Sequence, residues 1–271
     1  MKFFIISMIL LHGIQSYAGN DLKVYVPRDV LDEYNAISKN GEATLNYLIE
    51  KKARRDVMEI ELFKAYVEPA CSCKIRIVSD LTYKRALKSL EDGLIDSMAN
   101  PIWQVDTKAY NFAPTTPVVK LGDFNVVFYT GSKEKAKINS KNDLLSKAIV
   151  TNPQWTVDYM TLKPKFKSLL TTSSWDSIVK MVSAGRADLT LAPYSSEKDH
   201  VIKLDKYILY PVKNFKIGLM NARVVVFNKK HEKLIEKVNL EIEKMTKNGT
   251  IRKAYQASGF FSKAIENWEE I

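Results

Sequence analysis

Short runs rich in branched and aromatic residues alternate along this chain with stretches whose apolar positions recur every three or four residues. LKVYV (22–26) reads as a strand that Pro27 ends, and a polar stretch follows to about Gly41. From Glu42 to Val67 the residues Leu45, Leu48, Ile49, Val57, Ile60, Phe63 and Val67 keep helical spacing, and Pro69 closes the region. KIRIV (74–78) is a second strand. Thr82 to Glu91 is a helix with Ala86, Leu87 and Leu90 on one face. LIDSMA (94–99) is a third strand, broken by Asn100-Pro101. After a proline-bearing loop, FNVVFYT (124–130) is another strand, and helix, strand and helix follow from Asn142 to Met181. ADLTLA (187–192), YILYPV (207–212) and ARVVVF (222–227) are further strands. An amphipathic helix runs from about His231 to Lys247. Asn248-Gly249 is a turn, and a short helix covers Ile251 to Ala257. Such alternation implies βαβ units, an α/β fold and mainly parallel sheets.

Two segments echo each other. YKRALKSLEDGLID (83–96) and WDSIVKMVSAGRAD (175–188) each carry an aromatic, then apolar residues seven, six and three before a glycine, then an aspartate three after it. Each reads as a helix, a left-handed glycine stop and a strand. Two α/β lobes of similar construction would show this pattern.

The first 18 residues have another character. Met1-Lys2 is positive, Phe3 to Leu11 is apolar apart from Ser7, and Ser16-Tyr17-Ala18 offers small residues at the positions a signal peptidase reads. The apolar run is too short to span a bilayer, which takes about 20 residues. With no cysteine near Ala18, lipid attachment is not expected, and neither is stable membrane insertion. The expected location is the periplasm. The net charge is +10, but lysines alternate with glutamates, as in KKHEKLIEKVNLEIEK, so a solvated cationic surface fits better than a nucleic-acid site. Cys71 and Cys73 are separated only by Ser72 and stand equally as semi-buried thiols or a labile disulfide. With His200 and His231 far off in sequence, no metal site is expected, and no cofactor.

RALKSLEDGLIDSMAN resembles the first-lobe signature of the family 3 extracellular solute-binding proteins, the periplasmic components of polar amino-acid ABC transporters. NFAPTTPVVKLGDFNVVFYTG resembles the segment leading to the lobe crossing. WDSIVKMVSAGRADLTLAPY resembles the second-lobe signature, and EKVNLEIEKMTKNGTIRKAY the C-terminal helix and turn, with Asn248 in place of an aspartate. Residues 28–70 match poorly. The resemblance implies a two-lobed type II periplasmic-binding-protein-like fold with two hinge crossings, near Leu121–Asn125 and Lys216–Asn221. Lobe I would hold 19–122 plus 219–271, and lobe II 123–218.

In open α/β sheets ligands sit outside the carboxyl ends of strands, and helix N-termini there offer free amides. The expected ligand-binding residues are therefore Tyr25 and Arg28 after the first strand, and Asn100, Trp103 and Asp106 after the third. Gln154, Trp155 and Thr156 in one second-lobe turn and Tyr194 in another complete the set. The resemblance implies an arginine for an α-carboxylate and an aspartate for an ammonium. Ungapped counting places Asp106 and Pro193 there instead; a two-residue slip would bring Lys108 to the arginine position, and Arg28 offers another cation. Aromatic faces of Trp103, Trp155, Tyr194 and Tyr25 suit flat or cationic groups, which Asp106 and Asp158 would balance. Asp158 also reads as a first-turn residue favoured by the helix dipole.

The expected function is capture of a small polar molecule by hinge closure, by a monomer that hands it to an ABC permease. A sensing module that signals to a membrane receptor is the alternative. A periplasmic lyase on the same fold is a third reading, but no Ser-His-Asp spacing or nucleophile motif appears, and no catalysis is expected. His231 reads as a surface residue at a helix start.

Overall fold

The computed structural model describes residues 21–38, 43–71, 73–195 and 197–271. The segment read as a signal peptide, 1–18, lies outside the described residues. The chain runs through β1 (Leu22–Tyr25), α1 (Arg28–Ile37), α2 (Leu45–Glu50), α3 (Arg55–Cys71), β2 (Ile75–Val78), α4 (Tyr83–Glu91), β3 (Ser97–Met98), β4 (Ile102–Trp103) and β5 (Phe112–Pro114). It continues through β6 (Asn125–Thr130), α5 (Lys141–Ser146), β7 (Ala148–Thr151), α6 (Thr156–Leu162), β8 (Ser168–Thr171), α7 (Trp175–Ser183), β9 (Thr190–Ala192), β10 (Ile202–Leu204) and β11 (Tyr207–Gly218). It returns through β12 (Arg223–Val224), β13 (Val226–Asn228), α8 (Glu232–Lys247), α9 (Thr250–Ala257) and β14 (Glu269–Glu270). Among the described residues no helix is long and apolar enough to cross a membrane.

Each lobe has its own sheet. The first is ordered β2-β1-β3-β13-β5 and the second β10-β11-β6-β9. β1 is parallel to β2 and β3, but β13 is antiparallel to β3 and β5. In the second sheet β11 is antiparallel to β10 and β6, and β6 to β9. The parallel pair β7–β8 joins it through the Ile149–Leu189 bridge. The sheets are therefore mixed, not mainly parallel as alternation alone suggests. The route of the chain is the reason. β6 carries it out of the first lobe and β11 brings it back, so these strands must oppose each other, and β13 re-enters the first sheet against the direction of β3.

The echoed segments are the same local device used twice. Ala86, Leu87 and Leu90 bury the face of α4, as Ile178, Val179 and Val182 bury that of α7. Gly93 and Gly185 follow at φ 73° and 71°, a left-handed conformation that lets the chain turn sharply. Asp96 then accepts the amide of Lys23 at 2.8 Å, and Asp188 accepts that of Ala148 at 3.0 Å. Each aspartate thus ties its loop to the neighbouring strand.

Asp96 also holds Lys230 at 2.7 Å and His231 at 2.8 Å, so His231 is tucked under the loop rather than on the surface. Burial works to raise the Asp96 carboxyl, but the bonds from His231, Lys230 and the Lys23 amide outweigh it and hold the group well below the usual carboxylate range. A lowered folded-state value means the stabilisation is present above the unfolded pKa near 3.9 and is lost as pH falls through the folded value. Asp96→Asn should therefore cost about 1–3 kcal/mol at pH 7. In urea unfolding curves the variant and the parent should converge as pH drops below about 4. A gap that stays constant across that range would contradict the assignment.

Residues 28–37, part of the stretch read only as polar, form α1, because Val30 and Tyr34, four apart, are buried against the core. α3 runs two residues past Pro69, ends at Cys71 and is enclosed nearly all round by Val57, Met58, Ile60, Leu62, Phe63, Tyr66 and Val67. Cys71 and Cys73 form a disulfide.

The two crossings lie side by side. Ile217 pairs with Val126 and Gly218 with Asn125, Leu219 donates to the carbonyl of Phe124 at 2.9 Å, and Val119 bridges Arg223. At Gly218 a side chain would come within 2.8 Å of the Gly122 carbonyl oxygen, so the close approach needs glycine. The chain also touches the second lobe once more. Phe260 stacks on Phe124 with centroids 3.9 Å apart, Trp268 meets Tyr194 edge-on at 5.1 Å, and β14 pairs with β11. The last residues of the segment read as lobe I thus lie on the other sheet.

Candidate functional site

A cleft of about 1010 Å³ opens between the lobes. Its first-lobe side is built from strand ends and the loops after them. β1 ends at Tyr25, whose hydroxyl donates to the Leu81 carbonyl at 2.9 Å. Past β3, Asn100 donates from Nδ2 to the Asp56 carbonyl and to Glu59 Oε2, both at 2.9 Å, while its Oδ1 is buried without a partner. Trp103 on β4 and Asp106 in the short 3-10 turn after it continue this wall. The second-lobe side is the turn Gln154–Thr156, the first turn of α6 with Asp158, Trp175 at the start of α7, and Pro193–Tyr194 after β9. Phe124, Leu219 and Phe260 form the floor beside the crossings.

Eight of the residues expected at a ligand meet here: Tyr25, Asn100, Trp103, Asp106, Gln154, Trp155, Thr156 and Tyr194. Arg28 does not. It opens α1 and turns away to Asp32 and Asp80, both at 3.2 Å, with its side chain 64% exposed, so it is a surface residue. Trp155 and Trp175 stand 6.3 Å apart across the second-lobe wall. Tyr194 is held between Trp268 and the ring of His200, which stacks on it at 4.3 Å. His200 therefore backs a cleft loop without lining the cleft itself.

Sequence reasoning missed two cations in the lining, Arg55 and Arg223. Arg55 begins α3, lies over the Phe260 ring at 5.2 Å and pairs with Glu59 at 3.6 Å. Arg223 lies on β12, which pairs with β4 so that Arg223 sits opposite Trp103. Its guanidinium covers that indole at 5.1 Å and donates to the Pro101 carbonyl, while Nε is sealed from solvent without a partner. Burial, and then the charge of Arg55, lower the pKa of Arg223.

The acids differ in the same way. Asp56 is committed to Arg54, 2.5 Å away. Burial raises Asp106, against the opposing pull of Tyr83 and Arg223. Burial raises Asp158 further, to about 6, and only its own backbone amide offsets this. Among the described residues no group of three or more His, Cys, Asp or Glu is placed to hold a metal ion. The cleft combines aromatic walls with charges of both signs, an arrangement suited to binding a dipolar solute.

The profile of the bacterial extracellular solute-binding proteins, family 3, matches residues 42–259. No curated protein matches the sequence. Among solved structures, the probable amino-acid ABC transporter extracellular-binding protein ytmK from Bacillus subtilis is 16% identical with a TM-score of 0.58, over 88% of this chain and 96% of that one. The L-cystine solute receptor of Neisseria gonorrhoeae, in its unliganded open conformation, is 17% identical with a TM-score of 0.53, over 90% and 94%. An amino acid ABC transporter substrate-binding protein from Streptococcus pneumoniae, bound to L-arginine, is 18% identical with a TM-score of 0.51, over 88% and 93%. At these identities the likeness concerns the fold.

Proposed function

The chain belongs to the bacterial extracellular solute-binding proteins of family 3, and from that premise we propose that it captures an amino acid or close relative by closing its two lobes over it. The observation that carries this reading is the cleft of about 1010 Å³, lined from both lobes by aromatic rings and by charges of both signs. We take lobe I as 19–122 with most of 219–271 and lobe II as 123–218, export as dependent on residues 1–18, and the destination of the solute as an ABC permease. No catalysed step belongs to this reading, and neither His200 nor His231 lines the cleft.

Closure is favoured by as much as the solute binds the closed state more tightly than the open one. The test is a thermal-shift panel of amino acids, sugars and polyamines, followed by small-angle scattering with each binder. At a hundredfold excess over Kd, a true ligand should raise Tm by about 5–10 °C for a chain of this size. It should also shrink the radius of gyration and shift the emission of Trp155 and Trp175. If sugars alone stabilise the protein, the ligand class is wrong. If confirmed binders leave the radius unchanged, closure is wrong. Turnover of a binder by purified protein would make it an enzyme.

A further inference from the structure

We propose that the end of the second lobe turned away from the cleft is a docking face for an anionic phospholipid surface. This goes beyond the binding function proposed above and does not rest on it. Strand directions define that end. β6 finishes at Thr130 beside the starts of β9 and β11, because it is antiparallel to both. β7 and β8 begin at the same end, since β7 runs with β9 through the Ile149–Leu189 bridge and β8 runs with β7. The cleft turns Gln154–Thr156 and Pro193–Tyr194 follow the opposite ends of β7 and β9. The loops of the first end therefore lie a strand's length away from the solute.

Those loops are cationic. Lys133, Lys135 and Lys137 follow β6, and Lys163, Lys165 and Lys167 lead into β8, all of them exposed. Arg186 before β9 and Lys206 before β11 are exposed at the same end. Lys135 Nζ lies beside Gly185, so the loops before α5 and β9 meet. Lys133 lies over the Tyr210 ring at 5.8 Å. Phe166, 4% exposed, packs on Phe128 at 5.9 Å and holds the loop 163–167 on the sheet with its lysines outward. Among the described residues none of these cations is ion-paired, and the exposed acids of these loops are Glu134 and Asp205. On α8, by contrast, Glu241 and Glu243 answer Lys244 and Lys247. Crowding of one sign raises a positive potential over the whole end. Loop tips at one end of a sheet make a face rather than a groove, which suits a plane of charge. Lysine, a compact hydrated point charge, suits mobile headgroup phosphates, whereas fixed two-pronged recognition calls for arginine. With Phe166 turned inward, the attraction is electrostatic and salt-sensitive. A protein docked this way keeps its cleft open to solvent.

The test is co-sedimentation with vesicles of phosphatidylglycerol and phosphatidylcholine in equal parts, beside vesicles of phosphatidylcholine alone. Residues 1–18 are left off, because their apolar run would itself enter lipid and the described fold begins at residue 21. The parent protein should partition onto the anionic vesicles roughly tenfold or more above the neutral ones. It should lose this preference at about 0.5 M salt. A lysine near an anionic surface contributes about fivefold, so Lys163→Gln, Lys165→Gln and Lys167→Gln together should weaken partition by about 100-fold. The Tm of that variant should match the parent's, since exposed unpaired side chains are replaced, which guards against loss through misfolding. Lys233→Gln with Lys237→Gln, on α8 of the first lobe, should change partition by less than about twofold. If the α8 variant loses as much per lysine as the variant of the second lobe, net charge alone is at work and the docking face falls. Equal partition onto neutral vesicles, or none onto anionic ones, overturns it too. Capture of poly-L-glutamate in that last case would assign the same end to an acidic protein segment instead.

Discussion

Glu59→Ala is expected to remove about 3–5 kcal/mol of folding free energy, the scale for breaking a buried ion pair from one side. Glu59 lies inside α3 with 1% of its surface exposed. Its Oε2 accepts from Asn100 at 2.9 Å, its Oε1 accepts from Tyr255 at 3.2 Å, and Arg55 stands 3.6 Å away. Alanine leaves the buried Tyr255 hydroxyl and the Arg55 guanidinium without their carboxylate and takes one of two acceptors from the Asn100 amide. It also removes the countercharge that opposes the lowering of the Arg223 pKa by burial and by the charge of Arg55. Ligand binding should suffer with folding, because Asn100 is part of the cleft wall. Urea denaturation gives the first number and calorimetry the second. A loss below about 1 kcal/mol would show that the site relaxes around the missing acid and that Glu59 is no hub.

Ending the chain at Ser262 should cost about 3–6 kcal/mol, from the burial of Ile265 and Ile271 alone. They are 3% and 6% exposed, and truncation also removes Trp268 from Tyr194 and β14 from β11. The effect reaches the cleft through Tyr194, which keeps His200 on one side but loses the indole on the other. With the tail gone, the unliganded protein should open wider, so its radius of gyration should rise while the ligand-bound radius stays close to that of the full chain. A truncated protein that melts within a degree or two of the parent would show that the tail only lies on the second lobe and does not tie it down.

Much of this architecture was legible in the sequence because local rules and tertiary ones agree. The Gly93 and Gly185 stops and the aspartates three residues later announced the two-lobe plan, and the structure shows both aspartates bonding a strand amide. Strand-end logic brought Trp103, Asp106, Trp155 and Tyr194 to one cleft. Legibility failed where burial contradicts residue type. α1 was missed because only Val30 and Tyr34 mark its inner face among charged neighbours. Glu59 stands among the apolar positions Val57, Met58, Ile60, Leu62 and Phe63 of α3, and only the packing of the helix shows that this carboxylate faces the core. Arg223 was hidden inside the strand run ARVVVF. Only the pairing of β12 with β4 brings it opposite Trp103, a residue 120 positions away in the chain. Arg28 was misplaced for the converse reason: a cation after a strand suggests a cleft, but Asp32 and Asp80 hold it outside.

The crossings form a ribbon of two opposed strands bonded edge to edge, with Gly122 against Gly218. Such a ribbon resists sliding, which would break its ladder, and yields to flexing across its flat face. The relative movement of the halves is then close to a single angular coordinate. Side chains at its root, such as Arg223 beside the Val119 bridge, would then move little, while those of α6 on the far wall of the cleft would be carried through the arc.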